Sequence, residues 1–455
     1  MRLIELDYHV NTTTLFSAFA EQPWSIWLDS CADGATPGRY DIFAAQPKVT
    51  LVCRGNKTTI TRDDGQIQEL KTDPLLCLQN ELARLNYSDC DLPFSGGALG
   101  YLSYDLSRRF ENLPEQTLDD EDLPEMAMGI YNWAVVVDHQ LKMTTLIIQG
   151  TDQETEAQEV ALLEQLRSPY KTRSFYALSG LKNDISKEEY GKSFSKIKDY
   201  IKAGDCYQIN YAQRFQVECQ GSVFAAYEKL RQLNSAPYAA YLHLPFVTVM
   251  SSSPELFLSC EDGHVVTKPI KGTAPRTKSS EDDNQAKKQL ANSTKDKAEN
   301  VMIVDLLRND FSKNCVPHSV KVPKLFTIES YAMVHHMVSK VTGILHPEKS
   351  SMDLIRGAFP GGSITGAPKI RAMEIIDELE TYRRGVYCGS IGFINHNANT
   401  KFNIAIRTMT YLSGKMRFWA GGGIVHDSTM EGEYQETLDK AAAIIAALAE
   451  VQDKA

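Results

Sequence analysis

The sequence predicts an α+β fold built on antiparallel sheets. Runs with strand character and runs with helix character are grouped along the chain instead of strictly alternating, which argues against a parallel doubly wound sheet. Residues 1–150 hold many short β-type runs separated by turns, whereas the clear helical periodicities begin after residue 185. With 455 residues, 43% hydrophobic and 23% charged, the chain is long and apolar enough to bury a sizeable core.

In chain order, strands are expected at Trp24–Leu28, Val49–Cys53, Thr58–Thr61 and Trp133–Val137. Residues 151–184 are richer in charged and polar residues and read as a surface helix plus a connection. Ser186-Lys187-Glu188-Glu189 is a capping-box pattern. Tyr190, Phe194, Ile197 and Ile201 then recur at helical spacing, and Gly204 suits the stop. Strands follow at Tyr207–Phe215, Tyr238–Leu244, Val247–Ser251, Val265–Pro269, Val334–Val338, Gly389–Ile394, Asn403–Tyr411 and Met416–Ala420. Helices are expected at Lys295–Leu307, Ile370–Leu379 and Gln435–Leu448. The chain thus divides into a β-rich region (1–150), a connecting segment (151–184) and a longer mixed region (185–455).

The net charge of −10 argues against a nucleic-acid phosphate footprint or binding to an anionic membrane surface. Met1–Asp7 lacks a basic segment followed by an apolar run, so no signal peptide is expected, and Ala441–Ala449 is too short to span a bilayer. Nine cysteines without a C-x-x-C pair suggest reduced thiols in a cytoplasmic protein, not a disulfide framework or a zinc site. Cys206 and Cys388 read as small buried apolar residues.

Several segments carry chemistry. Pro269-Ile270-Lys271-Gly272-Thr273-Ala274 sets a lysine at the end of an apolar β-type run, where it can serve as a point charge or, with its pKa lowered by burial, as an amine nucleophile. Phe359–Lys369 is a glycine-rich loop feeding a helix, with Pro368 in the first turn, and it lacks the Gly-Lys-Ser/Thr ending of a Walker A loop. Free N–H groups at such a helix start favour an anion, and Gly421-Gly422-Gly423 forms a second glycine cluster that lets backbone approach a ligand. Two anion-receptive loops suggest a substrate with two carboxylates; tight structural turns are the alternative. Asp296 with Glu299, and Glu433 with Glu436, are carboxylate pairs at i, i+3 that could share one hard cation such as Mg2+, or could form a solvated face with a Glu436–Lys440 salt bridge. Ser253-Pro254-Glu255 closes a strand. Its glutamate could protonate a leaving hydroxyl if burial raises its pKa. His335 and His336 face opposite sides of a strand.

Together with Gly204-Asp205-Cys206-Tyr207-Gln208-Ile209-Asn210, Asp305-Leu306-Leu307-Arg308-Asn309-Asp310 and Ile406-Arg407-Thr408, these segments resemble the chorismate-utilising enzymes over roughly 185–450. Leu28-Asp29-Ser30 and Gly96-Gly97-Ala98-Leu99-Gly100-Tyr101 extend the resemblance into the N-terminal half. It implies two facing, largely antiparallel sheets forming a sandwich flanked by helices, with the N-terminal region packed intimately on a catalytic region at 185–455. Family members that form a 2-amino product carry alanine before Gly-Thr, whereas those that form a 4-amino product carry lysine, as here with Lys271. Members that use water carry a base lysine where this chain has Gln208.

The resemblance implies that chorismate and ammonia react through a covalent Lys271 intermediate, with Glu255 as acid. Mg2+ would be held through Glu299 and Glu436, with Asp296 and Glu433 secondary. Gly272, Thr273, His336, Tyr387, Arg407, Gly421 and Lys440 would line the substrate pocket. No Gly-x-Cys-x-Gly nucleophile turn occurs, so ammonia would come from a separate glutamine amidotransferase subunit in a heterodimer. A tryptophan pocket is implied at Ser30, Pro37, Gly38, Arg39, Tyr40, Pro237, Tyr238 and Ala239. The alternatives are a 2-amino product, or a non-catalytic tryptophan-binding scaffold.

Overall fold

In the computed structural model, two antiparallel sheets, one of thirteen strands and one of twelve, account for the strands among the described residues. It describes residues 1–32, 38–168, 174–277, 279–331 and 334–449; Pro37, expected in the tryptophan pocket, lies outside them. Residues 1–150 supply strands to both sheets. Ser25–Asp29 pairs with Tyr238–Leu244 in the first sheet, and Gly97–Leu102 pairs with Ser390–Asn395 in the second. The sheets face each other across a core of Ile26, Val136, Leu242 and Val249 from the first and Leu99, Tyr101, Ala127 and Phe393 from the second. Burying side chains of this size contributes about 1.5–3 kcal/mol each.

Local signals set several elements. Ser186 and Glu189 cap the helix Lys187–Ala203 reciprocally, and Gly204 ends it in a left-handed conformation (φ 82°). Its Tyr190, Phe194 and Ile197 pack against Ile209, Tyr211 and Ile424. Residues 151–184 contain the helix Gln153–Leu166 and the short strands Phe175–Ala177 and Lys182–Asn183.

Four expectations are corrected. Asn403–Tyr411 is not one strand: Thr400–Asn403 belongs to the second sheet and Thr408–Leu412 to the first, and the intervening residues cross between them. Gly421–Gly423 lies inside the strand Lys415–Ile424, because its backbone pairs with Asn210–Ala212. Pro368 is the N-cap of Lys369–Leu379 and not part of its first turn. Lys271 does not end a strand. His264–Lys268 stops at Pro269 but resumes as Ile270–Pro275 on the same partner, Thr267 opposite Val341 and Ile270 opposite Val338. Proline interrupts the ladder because it lacks an N–H. The helices Val223–Leu233, Ser280–Asn292 and Ser351–Ala358 and the strand Lys321–Ser330 were not expected.

All nine cysteines are free and eight are buried. Burial pushes the Cys206 thiol up to about 11 and Cys388 up to about 12, as for inert core thiols. No helix among the described residues is long and apolar enough to cross a membrane.

Candidate active site

Two crossings between the sheets lie side by side. Pro254-Glu255 leads from Val247–Ser253 in the first sheet to Leu256–Glu261 in the second, and residues 404–407 lead back. Ile404 donates its N–H to the Glu255 carbonyl (3.0 Å), and Ser253 Oγ donates to the Ile404 carbonyl (2.5 Å). Beside this junction opens a cavity of about 650 Å³, walled by Ile270–Pro275, Val334–Ile344, Lys415–Ile424 and the helices Thr294–Ser312 and Met430–Ala449. Its size suits a small organic ligand.

Lys271 lines this cavity. Ile270 faces Val338, but Thr273 faces His336, so an extra residue is inserted at Lys271-Gly272. Such a bulge re-aims a side chain, and Gly272 adopts the positive φ (79°) it needs. A Cβ on Gly272 would stand 2.8 Å from Asp296 Cγ, so only glycine lets this strand seat against the helix. Burial, assisted by the Lys440 ammonium, lowers the Lys271 pKa, although Glu299, Glu255 and Glu436 pull the other way.

Glu255 is buried and pushed up to about 7, chiefly by desolvation. A Ser363 Oγ–H···Oε1 bond (2.6 Å) and the Lys271 charge oppose that rise. A carboxyl group poised near neutrality can hold a proton and release it.

Three of the four acidic residues line the same cavity, close enough to Lys271 for Glu299 and Glu436 to act on its charge. Asp296, Glu299 and Glu436 line it, and Glu433 lies just behind. Glu433 Oε1 accepts from Ser428 (2.5 Å), but its buried Oε2 has no partner. Burial raises the pKa of Glu299, despite Lys271 and Lys295, and Asp296 and Glu433 add to the rise. Burial likewise raises Glu433, with Glu436 adding to it. Burial pushes Glu436 upward too, but Lys440, together with Lys295 and Lys271, outweighs it and holds the carboxyl below its usual range. Gly422 permits the close approach: a Cβ there would be 2.9 Å from Glu433 Oε2 and 3.3 Å from Glu436 Oε1. Among the described residues, no three His, Cys, Asp or Glu side chains could hold a metal ion by themselves. Clustered carboxylates with an orphaned oxygen fit a hard cation that completes its shell with water and substrate oxygens.

Cationic and polar groups line the same cavity. Arg407 has φ 50°, and its guanidinium donates to Asn234 Oδ1 (3.3 Å) with no carboxylate partner among the described residues. His336 is pushed down to about 3 by burial and by Arg407, so it is a neutral imidazole, with Nδ1 2.9 Å from Thr273 Oγ1. His335 points away, to Ser330 (2.7 Å) and Asp283 (3.2 Å). Lys440 Nζ donates to the Gly421 carbonyl (2.9 Å), and the Tyr387 ring stacks on Trp419. Sequence reasoning did not single out Ser363, Asn210, Trp419 or Lys295, which also line the cavity. Ser363 and Asn210 sit inside segments quoted above as motifs, which was the available signal.

The expected tryptophan-pocket residues lie elsewhere. Ser30 donates from N (2.7 Å) and Oγ (2.6 Å) to Asp41, and Gly38 packs against Ser30. Arg39 pairs with Asp138 (2.9 Å) and stacks over Tyr40. Ala239 and Tyr238 begin the strand Tyr238–Leu244, just after Pro237. Buried Asp29 accepts from Arg231 Nε and Tyr227 OH, both at 2.8 Å.

Residues 28–446 match the chorismate binding enzyme family. The chain belongs to this family. It is 46% identical over 429 residues, 93% of each chain, to aminodeoxychorismate synthase component 1 of Salmonella typhimurium. It is 35% identical to anthranilate synthase component 1 of Acetivibrio thermocellus over 456 residues, 96% of this chain and 92% of the relative. The crystal structure of anthranilate synthase component I from Streptococcus pneumoniae superposes with a TM-score of 0.81 at 32% identity, covering 90% of this chain and 93% of that one. The family's two-sheet fold therefore frames the cavity, and both sheet crossings fall within the matched residues.

Proposed function

We propose that this chain is the synthase subunit that converts chorismate and ammonia to 4-amino-4-deoxychorismate, the precursor of 4-aminobenzoate in folate synthesis. The observation that carries this reading is one cavity holding both Lys271, with a lowered pKa, and Glu255, poised near 7. The relatives at about 46% identity favour the 4-amino product over the 2-amino product of the anthranilate synthases.

The neutral Lys271 amine attacks C2 of chorismate, the two conjugated double bonds each shift one place, and the C4–O bond breaks. Glu255 gives its proton to the departing oxygen, which leaves as water. Ammonia then attacks C4 and expels the lysine amine by the reverse shift, and the excess proton of the new ammonium returns to Glu255. Dividing one difficult displacement into two easier ones is the benefit of covalent catalysis. Arg407 and Lys440 offset the substrate's negative charge. Glu299 and Glu436, backed by Asp296 and Glu433, would hold Mg2+, which when bound supplies charge neutralisation for a substrate carboxylate. Ammonia would be delivered by a separate glutamine amidotransferase subunit, and a cytoplasmic location fits that partnership.

Incubation with chorismate, Mg2+ and ammonium, followed by mass analysis and fluorescence, tests the reading. The expected product is non-fluorescent 4-amino-4-deoxychorismate; fluorescent anthranilate would overturn the assignment.

A further inference from the structure

We infer that Ser363 is a positioning residue for Glu255, fixing which carboxyl oxygen carries the transferable proton. The inference rests on the acid role proposed for Glu255. Ser363 Oγ donates to Glu255 Oε1 at 2.6 Å, and the two residues are 108 positions apart in sequence. An oxygen that accepts a short hydroxyl bond is a poor place for a proton. The proton is therefore held on Oε2.

The loop that carries Ser363 is built to hold it. Ser363 is the central residue of a one-turn 3-10 helix, Gly362–Ile364. A Cβ at Gly361 would meet Ile404 Cδ1 at 2.4 Å, and one at Gly362 would meet Leu306 Cδ2 at 2.7 Å. The buried Arg384 donates to the Ile364 carbonyl (2.9 Å) and to the Asn210 carbonyl (2.6 Å), and its guanidinium is paired with Glu380 (2.6 Å). The turn is thus pinned from three sides. The glycine-rich loop, read from sequence as an anion cradle, acts here as the mount of the acid.

The bond works in both halves of the cycle. While Glu255 holds its proton, Ser363 biases it to Oε2. Once Oε2–H has given its proton to the C4 oxygen and water has left, the Ser363 hydroxyl stabilises the carboxylate that remains, as does the Ile270 N–H. Burial alone would drive the carboxyl higher and weaken it as an acid; Ser363 limits that rise. The other charged or titratable groups acting on Glu255 are Lys271 and Lys440, and the Cys388 thiol is within its influence.

The test follows Lys271 adduct formation from chorismate without ammonia, by intact-protein mass, across pH in wild type, Ser363→Ala and Ser363→Thr. In Ser363→Ala the alkaline limb moves upward by about one pH unit and the maximal rate falls roughly tenfold, since one hydrogen bond to a charged group is worth about 1.5–3 kcal/mol. Ser363→Thr, which keeps the hydroxyl, restores the limb. An unmoved limb in Ser363→Ala, with normal chorismate binding, overturns the positioning role. If wild type forms no adduct, or Glu255→Gln forms it at the wild-type rate, the acid reading itself fails, which is a separate outcome.

Discussion

Lys440 Nζ lies 2.7 Å from Glu436 Oε1, one helical turn apart on Met430–Ala449. The salt bridge that the spacing allowed and the cation site that it also allowed therefore share a carboxylate. An ammonium on Glu436 competes with a divalent ion for the same oxygen. Lys440→Met is expected to tighten Mg2+ binding severalfold in the absence of chorismate, since an exposed ion pair is worth up to about 1 kcal/mol. Isothermal titration reads this directly, and unchanged affinity would separate Lys440 from the cation site.

Lys271→Ala removes the proposed nucleophile while leaving Glu255 and the carboxylates in place. The expected loss of 4-amino product is on the order of 10³-fold or more, as for other essential catalytic groups. Digestion of wild-type protein quenched with chorismate should show the added mass on the peptide carrying Lys271. Full activity of the variant with ammonia would exclude the covalent route.

The raised pKa of Glu255 has a thermodynamic consequence of fixed sign. Its carboxyl titrates near 7 when folded and near 4.5 when exposed, so its contribution to stability is full below about 4.5 and is lost as pH rises through 7. The loss is on the order of 3 kcal/mol. Glu255→Gln cannot ionise, and its urea-unfolding free energy should fall less between pH 5 and pH 8 than that of wild type. Parallel pH profiles for the two proteins would count against a protonated, buried Glu255.

Gly272 is required by both conformation and space. Alanine there would combine a positive φ of 79° with a Cβ 2.8 Å from Asp296 Cγ. The expected destabilisation is about 1–3 kcal/mol. Activity should fall by more than stability alone explains, because the bulge that aims Lys271 would relax. Denaturant unfolding and steady-state rates on the same preparation check both parts.

The tryptophan pocket remains a proposal of structural or vestigial binding. Arg39 and Ser30 already have carboxylate partners in Asp138 and Asp41, so neither is free to act as a ligand group without rearrangement. Denatured extracts of purified protein should nevertheless contain tryptophan by mass spectrometry, and its absence would remove the proposal.

Much of this molecule was legible locally. The capping box at Ser186, the strand Tyr238–Leu244 and the helix through Asp296 and Glu299 follow from periodicity and caps, which act within a few residues. One misread place is where the backbone changes sheets. Residues 404–407 continue an apolar, strand-like pattern, and nothing in that pattern marks the passage from one sheet to the other. Gly421–Gly423 read as a loop because glycine weakens a strand intrinsically, yet pairing with Asn210–Ala212 outweighs that preference.

The sequence by itself determined the fold class, the order of the motifs and the lysine before Gly272-Thr273 that points to a 4-amino product. Only the tertiary structure decided that Ser363 meets Glu255, that a bulge aims Lys271 and that Glu433 keeps an oxygen without a partner. The reason is physical. Periodicity and capping are short-range, whereas a shifted pKa depends on how much water the whole assembly removes and which distant charges it brings close. Lys271 and Glu255 are ordinary side chains in the sequence; the junction between the two sheets sets their proton affinities.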